Sequence, residues 1–367
     1  MGSNIDIIPG LELARRFYWE AVRPILDADF SGLRHSAALI GPGSEVLGFD
    51  TPMSTDHHWG PRAMLFLTEE GYERCHKTIR ETFRWRLPHR FLGYPTNFAQ
   101  PRPEDPGVRL LRATESGPIE HRVEIFTIAG YTHGYLGCDL AEPLPLADWL
   151  SLQPQRLRTF AGGTVFHDDL GLVDVRARFA YYPHDVWLYL LASGWQRIGQ
   201  EEHLMGRAGH AGDELGSALI AARLVRDVMM LCFLMERQYA PYPKWFGSAF
   251  MRLHAGPELG SVLQEALRAD TWQRRGEHLA AAYECLAAKH NSLGITEPLP
   301  AVCSPFWDRP FQVIHGDRFC QAILARITGP DVQRLAARAP TGGIDQISDN
   351  TDILENTPRE VTRRLFE

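Results

Sequence analysis

Over residues 11–28, Leu-Glu-Leu-Ala-Arg-Arg-Phe-Tyr-Trp-Glu-Ala-Val-Arg-Pro-Ile-Leu-Asp-Ala, apolar positions recur at helical spacing, interrupted by Pro24. Two short apolar runs follow, Ala37-Ala38-Leu39-Ile40 and Ala63-Met64-Leu65-Phe66-Leu67, which read as strands on either side of a Gly-Ser turn. A helix is predicted over roughly 70–84, and the Pro- and Gly-rich text of 87–119 reads as an irregular excursion. Residues 121–128 alternate with period two, placing Val123, Ile125 and Thr127 on one face and Arg122, Glu124 and Phe126 on the other. From about 145 the pattern turns helical, at 146–150, 182–198, 213–239, 258–269 and 273–292. The run from Leu215 to Met235 is apolar on most faces, as a buried central helix of a bundle would be. Pro241 and Pro243 cannot continue it, so its end is expected near Tyr239.

The turn carries the strongest chemical signal. Gly43-Ser44-Glu45-Val46-Leu47-Gly48-Phe49-Asp50 leaves the first apolar run, and Thr55-Asp56-His57-His58-Trp59-Gly60-Pro61-Arg62 leads into the second. If Asp56 and His58 begin that strand, they project side by side from one face. A Gly-Ser turn offers unobstructed backbone N–H groups and a hydroxyl to phosphate, and the Asp-x-His pair offers donors to a divalent ion. Glu124, on the polar face of its strand, is the candidate third carboxylate, as ligand or base. Asp50 on the approaching loop could add a metal oxygen, and Arg62 a phosphate contact. The structural alternative is that Asp56 and His58 only hydrogen-bond the loop.

Composition narrows the class. With 367 residues, 44% of them hydrophobic, the chain can bury a large core and divide into two or more domains. A formal charge of -7 and the absence of a basic run give no footing for a nucleic-acid surface. No window approaches a membrane-spanning length of apolar residues, and the N-terminus lacks a signal-peptide pattern, so a cytoplasmic protein is expected. The six cysteines are scattered without a CxxC, which points away from structural zinc and toward a reducing compartment.

Gly43-Ser44, the spacing to Asp56 and the sequence Thr55-Asp56-His57-His58 resemble the signature of DNA polymerase beta-type nucleotidyltransferases. In these, a Gly-Ser is followed by an Asp-x-Asp or Asp-x-Glu strand. The aminoglycoside and lincosamide nucleotidyltransferases are similar in size and pair such a domain with a helical half. The longer text of the turn is similar to a bacterial family catalogued as domain of unknown function 4037. So are Gly206-Arg207, Gly212-Asp213, Arg223-Leu-Val-Arg226-Asp227 and Tyr239-Ala-Pro-Tyr-Pro-Lys244-Trp245-Phe246-Gly247. The resemblance implies an α+β fold: a nucleotidyltransferase-like mixed sheet with flanking helices over 1–145, a helical bundle domain over 146–295, and a C-terminal extension, 296–367, packed on it. Ligands would sit in a cleft between domains.

The implied activity is transfer of a nucleoside monophosphate from an NTP to a hydroxyl of a small molecule, with Mg²⁺ or Mn²⁺. Gly43, Ser44 and Arg62 would bind the nucleotide, Asp56, His58 and Asp50 the metal, and Glu124 would act as base. The expected partners are the nucleotide and a small-molecule acceptor, with a homodimer as the assembly to test. His58 departs from the pattern, which has a carboxylate there; imidazole suits Mn²⁺ better than Mg²⁺. A catalytically altered nucleotide-binding or toxin–antitoxin-type module is therefore the rival class.

Other constellations carry less. Phe166-His167-Asp168-Asp169-Leu170-Gly171 reads as a capped turn before it reads as a site, because consecutive residues seldom share a face. Arg176 and Arg178 fit either a phosphate contact or a solvated face. Arg223 and Asp227 stand at i,i+4 and suit a simple pair, whereas Arg226 needs an internal carboxylate or a cleft. The aromatic loop 239–245 would place Lys244 on a phosphate or merely pack a helix terminus. His315-Gly316-Asp317 resembles the catalytic text of aminoglycoside phosphotransferases, with Ala322 where that family has a metal-binding Asn, which leaves phosphotransfer through Asp317 a third reading.

Overall fold

The computed structural model describes residues 7–56, 59–99, 110–140, 143–355 and 359–367, with Thr55, Asp56, Asp352 and Glu355 described for their backbone alone. The chain divides into two compact units, one of residues up to 143 together with 156–180, the other of 144–155 and 181–367.

In the first unit α1 (Gly10–Phe17) runs through a π-helical turn, Tyr18–Val22, into α2 (Arg23–Asp29). The widened turn lies where Pro24 would otherwise crowd the carbonyl four residues back. β1 (His35–Leu39) and β2 (Arg62–Leu67) are antiparallel and buried at every position, the pattern of strands covered on both faces. The strand at the second apolar run thus begins at Arg62. Pro52–Asp56 is a 3-10 helix, so Asp56 stands on a turn rather than on the strand expected for it. His58 lies outside the described residues.

α3 (Glu69–Arg86), capped by the Thr68 hydroxyl, leads to a small hairpin of β3 (Arg90–Phe91) and β4 (Tyr94–Pro95). β5 (Arg122–Thr127) then pairs parallel with β2, and α4 (Ile128–Leu136) follows from a Thr127 cap. After α5 (Leu146–Ser151) of the second unit, α6 (Pro154–Ala161), β6 (Thr164–Asp168) and α7 (Leu172–Ala177) return to the sheet, although they lie beyond position 145. The mixed sheet has the order β5-β2-β1-β6. Its face bearing Leu65, Leu67 and Val123 packs on Leu13, Phe17 and Tyr18 of the first helix and turn and on Ile79 and Phe83 of α3. The opposite face carries Phe66 and Phe126, met by Tyr131 of α4 with ring centroids 5.6 and 5.1 Å away.

The second unit is helical: α8 (His184–Glu201), α9 (Leu204–His210), α10 (Glu214–Met235), α11 (Pro243–Phe250), α12 (Gly256–Arg268) and α13 (Trp272–Ser292), then a hairpin of β7 (Ser304–Phe306) and β8 (Arg309–Val313), and α14 (Gly316–Leu324). The central helix stops at Met235, short of Tyr239. Arg237 is left-handed (φ 50°), Arg237 N bonds Leu234 O and Gln238 N bonds Phe233 O, a Schellman termination that closes the helix before the prolines act. α8 and α14 approach through glycine: a Cβ on Gly316 would lie 2.6 Å from the Trp195 carbonyl oxygen. Among the described residues no helix is long and apolar enough to cross a membrane.

At the start of α14, the buried Glu202 carboxylate accepts the N–H groups of Ile314, His315 and Gly316 at 2.6, 3.2 and 3.1 Å. Burial nevertheless pushes its pKa up from 4.5 to about 7, the three amides opposing the shift. A carboxyl that holds its proton longer folded than unfolded stabilises the fold at low pH, and that contribution is lost as pH rises from 4.5 through about 7. Urea unfolding across this window should show about 3 kcal/mol of declining stability that Glu202→Gln removes. An unchanged pH slope in Glu202→Gln would contradict the assignment.

Candidate functional site

The loop between β1 and β2 is held by charges that point inward. Arg62, the first residue of β2, turns its guanidinium back under the loop, with Nε 2.8 Å and Nη2 2.6 Å from Glu45 Oε1 and Nη2 also donating to Pro42 O at 2.9 Å. Both side chains are about 95% buried. Gly43 fits this cradle at φ 144°: a Cβ there would run into Arg62 Nη2 and lie 2.6 Å from Glu45 Oε2. The Gly43-Ser44 turn therefore rests directly on a buried ion pair. Backbone bonds complete it, Phe49 N to Ser44 O, Gly41 N to Thr159 O and Gly163 N to Val46 O.

The far end of the loop is anchored by Asp50. Its Oδ2 accepts Gly10 N at 2.7 Å and Trp59 Nε1 at 3.2 Å. A carboxylate at the first N–H of α1 also meets the positive end of the helix dipole.

The sheet sets the rest of the geometry. Register pairs Arg62 with Arg122, Met64 with Glu124 and Phe66 with Phe126, so Arg62 and Glu124 share one face. Glu124 keeps 44% of its side chain exposed, with Arg122 Nη2 3.7 Å away. On the same face the Tyr131 hydroxyl sits against Gly41, buried and without a hydrogen-bond partner among the described residues. Burial raises its pKa well above the usual phenol value, with Tyr135 and Glu124 adding to the effect. A buried hydroxyl left unpaired costs about 1–3 kcal/mol.

The proposed residues thus separate into groups. Gly43, Ser44, Arg62 and Asp50 lie on or beneath one loop, and Glu124 of β5 shares the sheet face of Arg62. Ser44 is partly buried in the turn. Arg62 and one oxygen of Asp50 are committed to holding the loop. The Asp56 side chain and His58 lie outside the described residues. Lys244 belongs to the second unit, at the N-terminus of α11, with Nζ 4.9 Å from the Trp245 ring centre. Glu45 was not singled out from the sequence; its signal is a carboxylate set just before the apolar pair Val46-Leu47.

Of the other motif residues, Asp168, Arg176, Arg223 and Asp227 make structural contacts. Asp168 accepts Ser36 Oγ at 2.6 Å and the N–H groups of Gly171, Leu172 and Val173 at 2.9, 3.0 and 2.9 Å, as a capped turn requires. Arg176 caps the carbonyls of Phe160, Ala161 and Gly162 at the end of α6. The expected Arg223–Asp227 pair does not form. Asp227 faces α8 and pairs with Arg197 at 3.1 Å, whereas Arg223 lies on the exposed side and pairs with Glu201. Arg226 lies 4.0 Å from Asp227.

Breaking a buried pair strands a charge, so Glu45→Ala should cost about 3–5 kcal/mol in urea unfolding. A loss below about 1 kcal/mol would mean that water reaches Arg62 in solution.

No curated protein and no solved structure matches the chain. Residues 149–246, from α5 into α11, match a family described as a domain of unknown function, DUF4037.

Proposed function

We propose that this protein is a metal-dependent nucleotidyltransferase-like enzyme that moves a nucleoside monophosphate from an NTP to a hydroxyl of a small molecule. One observation carries the reading: the buried Glu45–Arg62 pair stiffens the Gly43-Ser44 turn, while Glu124 keeps an exposed carboxylate on the same sheet face. Phosphoryl-type transfer asks the protein chiefly for such positioning.

In this reading the Gly43 backbone and the Ser44 hydroxyl bind the triphosphate. Glu124 takes the proton from the acceptor hydroxyl as its oxygen bonds to the α-phosphorus and pyrophosphate leaves. The Tyr131 hydroxyl donates to a ligand oxygen near Gly41. Arg62 acts through the loop as a positioning residue. Asp56 and His58, with the second oxygen of Asp50, would hold the divalent ion, which neutralises phosphate charge when bound. One imidazole beside carboxylates fits Mn²⁺ better than Mg²⁺.

Calorimetric titration of NTPs with Mn²⁺ or Mg²⁺, followed by pyrophosphate release over a panel of hydroxyl acceptors, tests this. Ser44→Ala and Glu124→Gln should each lower turnover about a hundredfold, and Asp56→Ala should abolish it. Nucleotide binding without turnover on any acceptor would favour the non-catalytic module instead. Absence of NTP binding, with Asp56→Ala indistinguishable from wild type, would remove both readings.

A further inference from the structure

On the other face of the same sheet, two histidines and a carboxylate converge. His35 opens β1, His167 lies near the end of β6, and Asp169 follows that strand. One ligand atom from each falls within 4.8 Å of the others. Metal bonds of about 2 Å place the ligands of one ion up to about 4 Å apart, so small side-chain rotations close the gap. We propose that His35, His167 and Asp169 bind a first-row transition-metal ion such as Zn²⁺ or Co²⁺.

The surroundings prepare this set. His35 Nδ1 lies 3.0 Å from the Leu33 carbonyl oxygen. That oxygen only accepts, so Nδ1 carries the proton and Nε2 presents its lone pair, the tautomer that a metal-binding imidazole needs. The Tyr18 hydroxyl now donates to Nε2 at 2.9 Å and must yield it to an ion; Arg23 Nη1, 3.3 Å away, remains a partner for the phenol oxygen. His167 Nε2 is buried and lacks an aligned hydrogen bond, although Asp169 Oδ2 lies only 2.9 Å from it. Asp169 is fixed through its own backbone, N to His35 O at 3.2 Å and O from Arg34 Nη2 at 2.6 Å. Its carboxylate is 40% exposed, which opens a path from solvent.

A β-bulge creates the cluster. β1 pairs Ala37 with His167 but Ala38 with Val165, leaving Phe166 as the extra residue. Phe166 and His167 consequently both flank Tyr18, with ring centroids 6.1 and 6.3 Å from it. Two imidazoles with one carboxylate favour zinc, cobalt, nickel or copper over Mg²⁺. A bound ion would tie the edge strand β6 to β1. The face differs from that of Arg62 and Glu124, so the proposal is independent of nucleotide chemistry.

The test is a Co²⁺ and Zn²⁺ titration of chelator-treated full-length protein, followed by calorimetry and visible absorption, in wild type, Asp56→Ala, His167→Ala and Asp169→Asn. One equivalent should bind in Asp56→Ala, which lacks the ion site proposed at the loop, and at least that equivalent in wild type, without thiolate charge-transfer bands. His167→Ala and Asp169→Asn should each weaken that binding at least tenfold, and circular dichroism should confirm that they fold. If His167→Ala fails to fold, the half-exposed Asp169→Asn still decides. No binding in wild type, equal binding in Asp169→Asn, loss of binding in Asp56→Ala, or cobalt–thiolate bands would overturn the proposal.

Discussion

A carboxylate and a guanidinium removed from water leave this fold few choices. Either charge buried alone would cost several kcal/mol, so Glu45 and Arg62 must find each other. Their meeting ties the loop after β1 to the first residue of β2. Gly43 is then needed because the pair occupies the space that any side chain would take. The turn that carries Ser44 is thus rigid for a reason that lies beneath it rather than within it. Asp50 does similar work at the far end, joining the loop to α1 and Trp59.

That constraint reassigns roles. An arginine close to a Gly-Ser turn reads as a phosphate contact from sequence, yet here its Nε and Nη2 are committed to Glu45 and Pro42. On the same face the Glu124 carboxylate stays partly exposed, and the buried Tyr131 hydroxyl has no hydrogen-bond partner among the described residues. The two faces of the sheet also differ in chemistry. One gathers carboxylate, phenol and open backbone beside a glycine turn; the other gathers imidazoles on a bulged edge strand.

Element type was largely legible because it follows from local rules. Period two in 121–128 marked β5 and placed Glu124 and Arg122 on one face, and the apolar run of α10 marked a buried helix. The ends were less legible. α10 stops at Met235, closed by a left-handed Arg237 that no propensity suggests, and the second strand starts at Arg62, after 52–56 has wound into a 3-10 turn. The capped turn read at 166–171 forms at Asp168, but β6 leading into it left no strand signal, since its single bulge breaks the alternation that identifies a strand.

Periodicity, the α+β class and the Gly-Ser loop between two apolar strands were readable from residue order, because backbone sterics and hydrophobic burial act over a few neighbours. Pairing across distance was not. That Arg62 closes on Glu45, that Asp227 prefers Arg197 to Arg223, and that His35 meets His167 depend on which surfaces the packed sheet and helices bring together. Spacing along the chain carries no term for those distances; only the folded sheet supplies them.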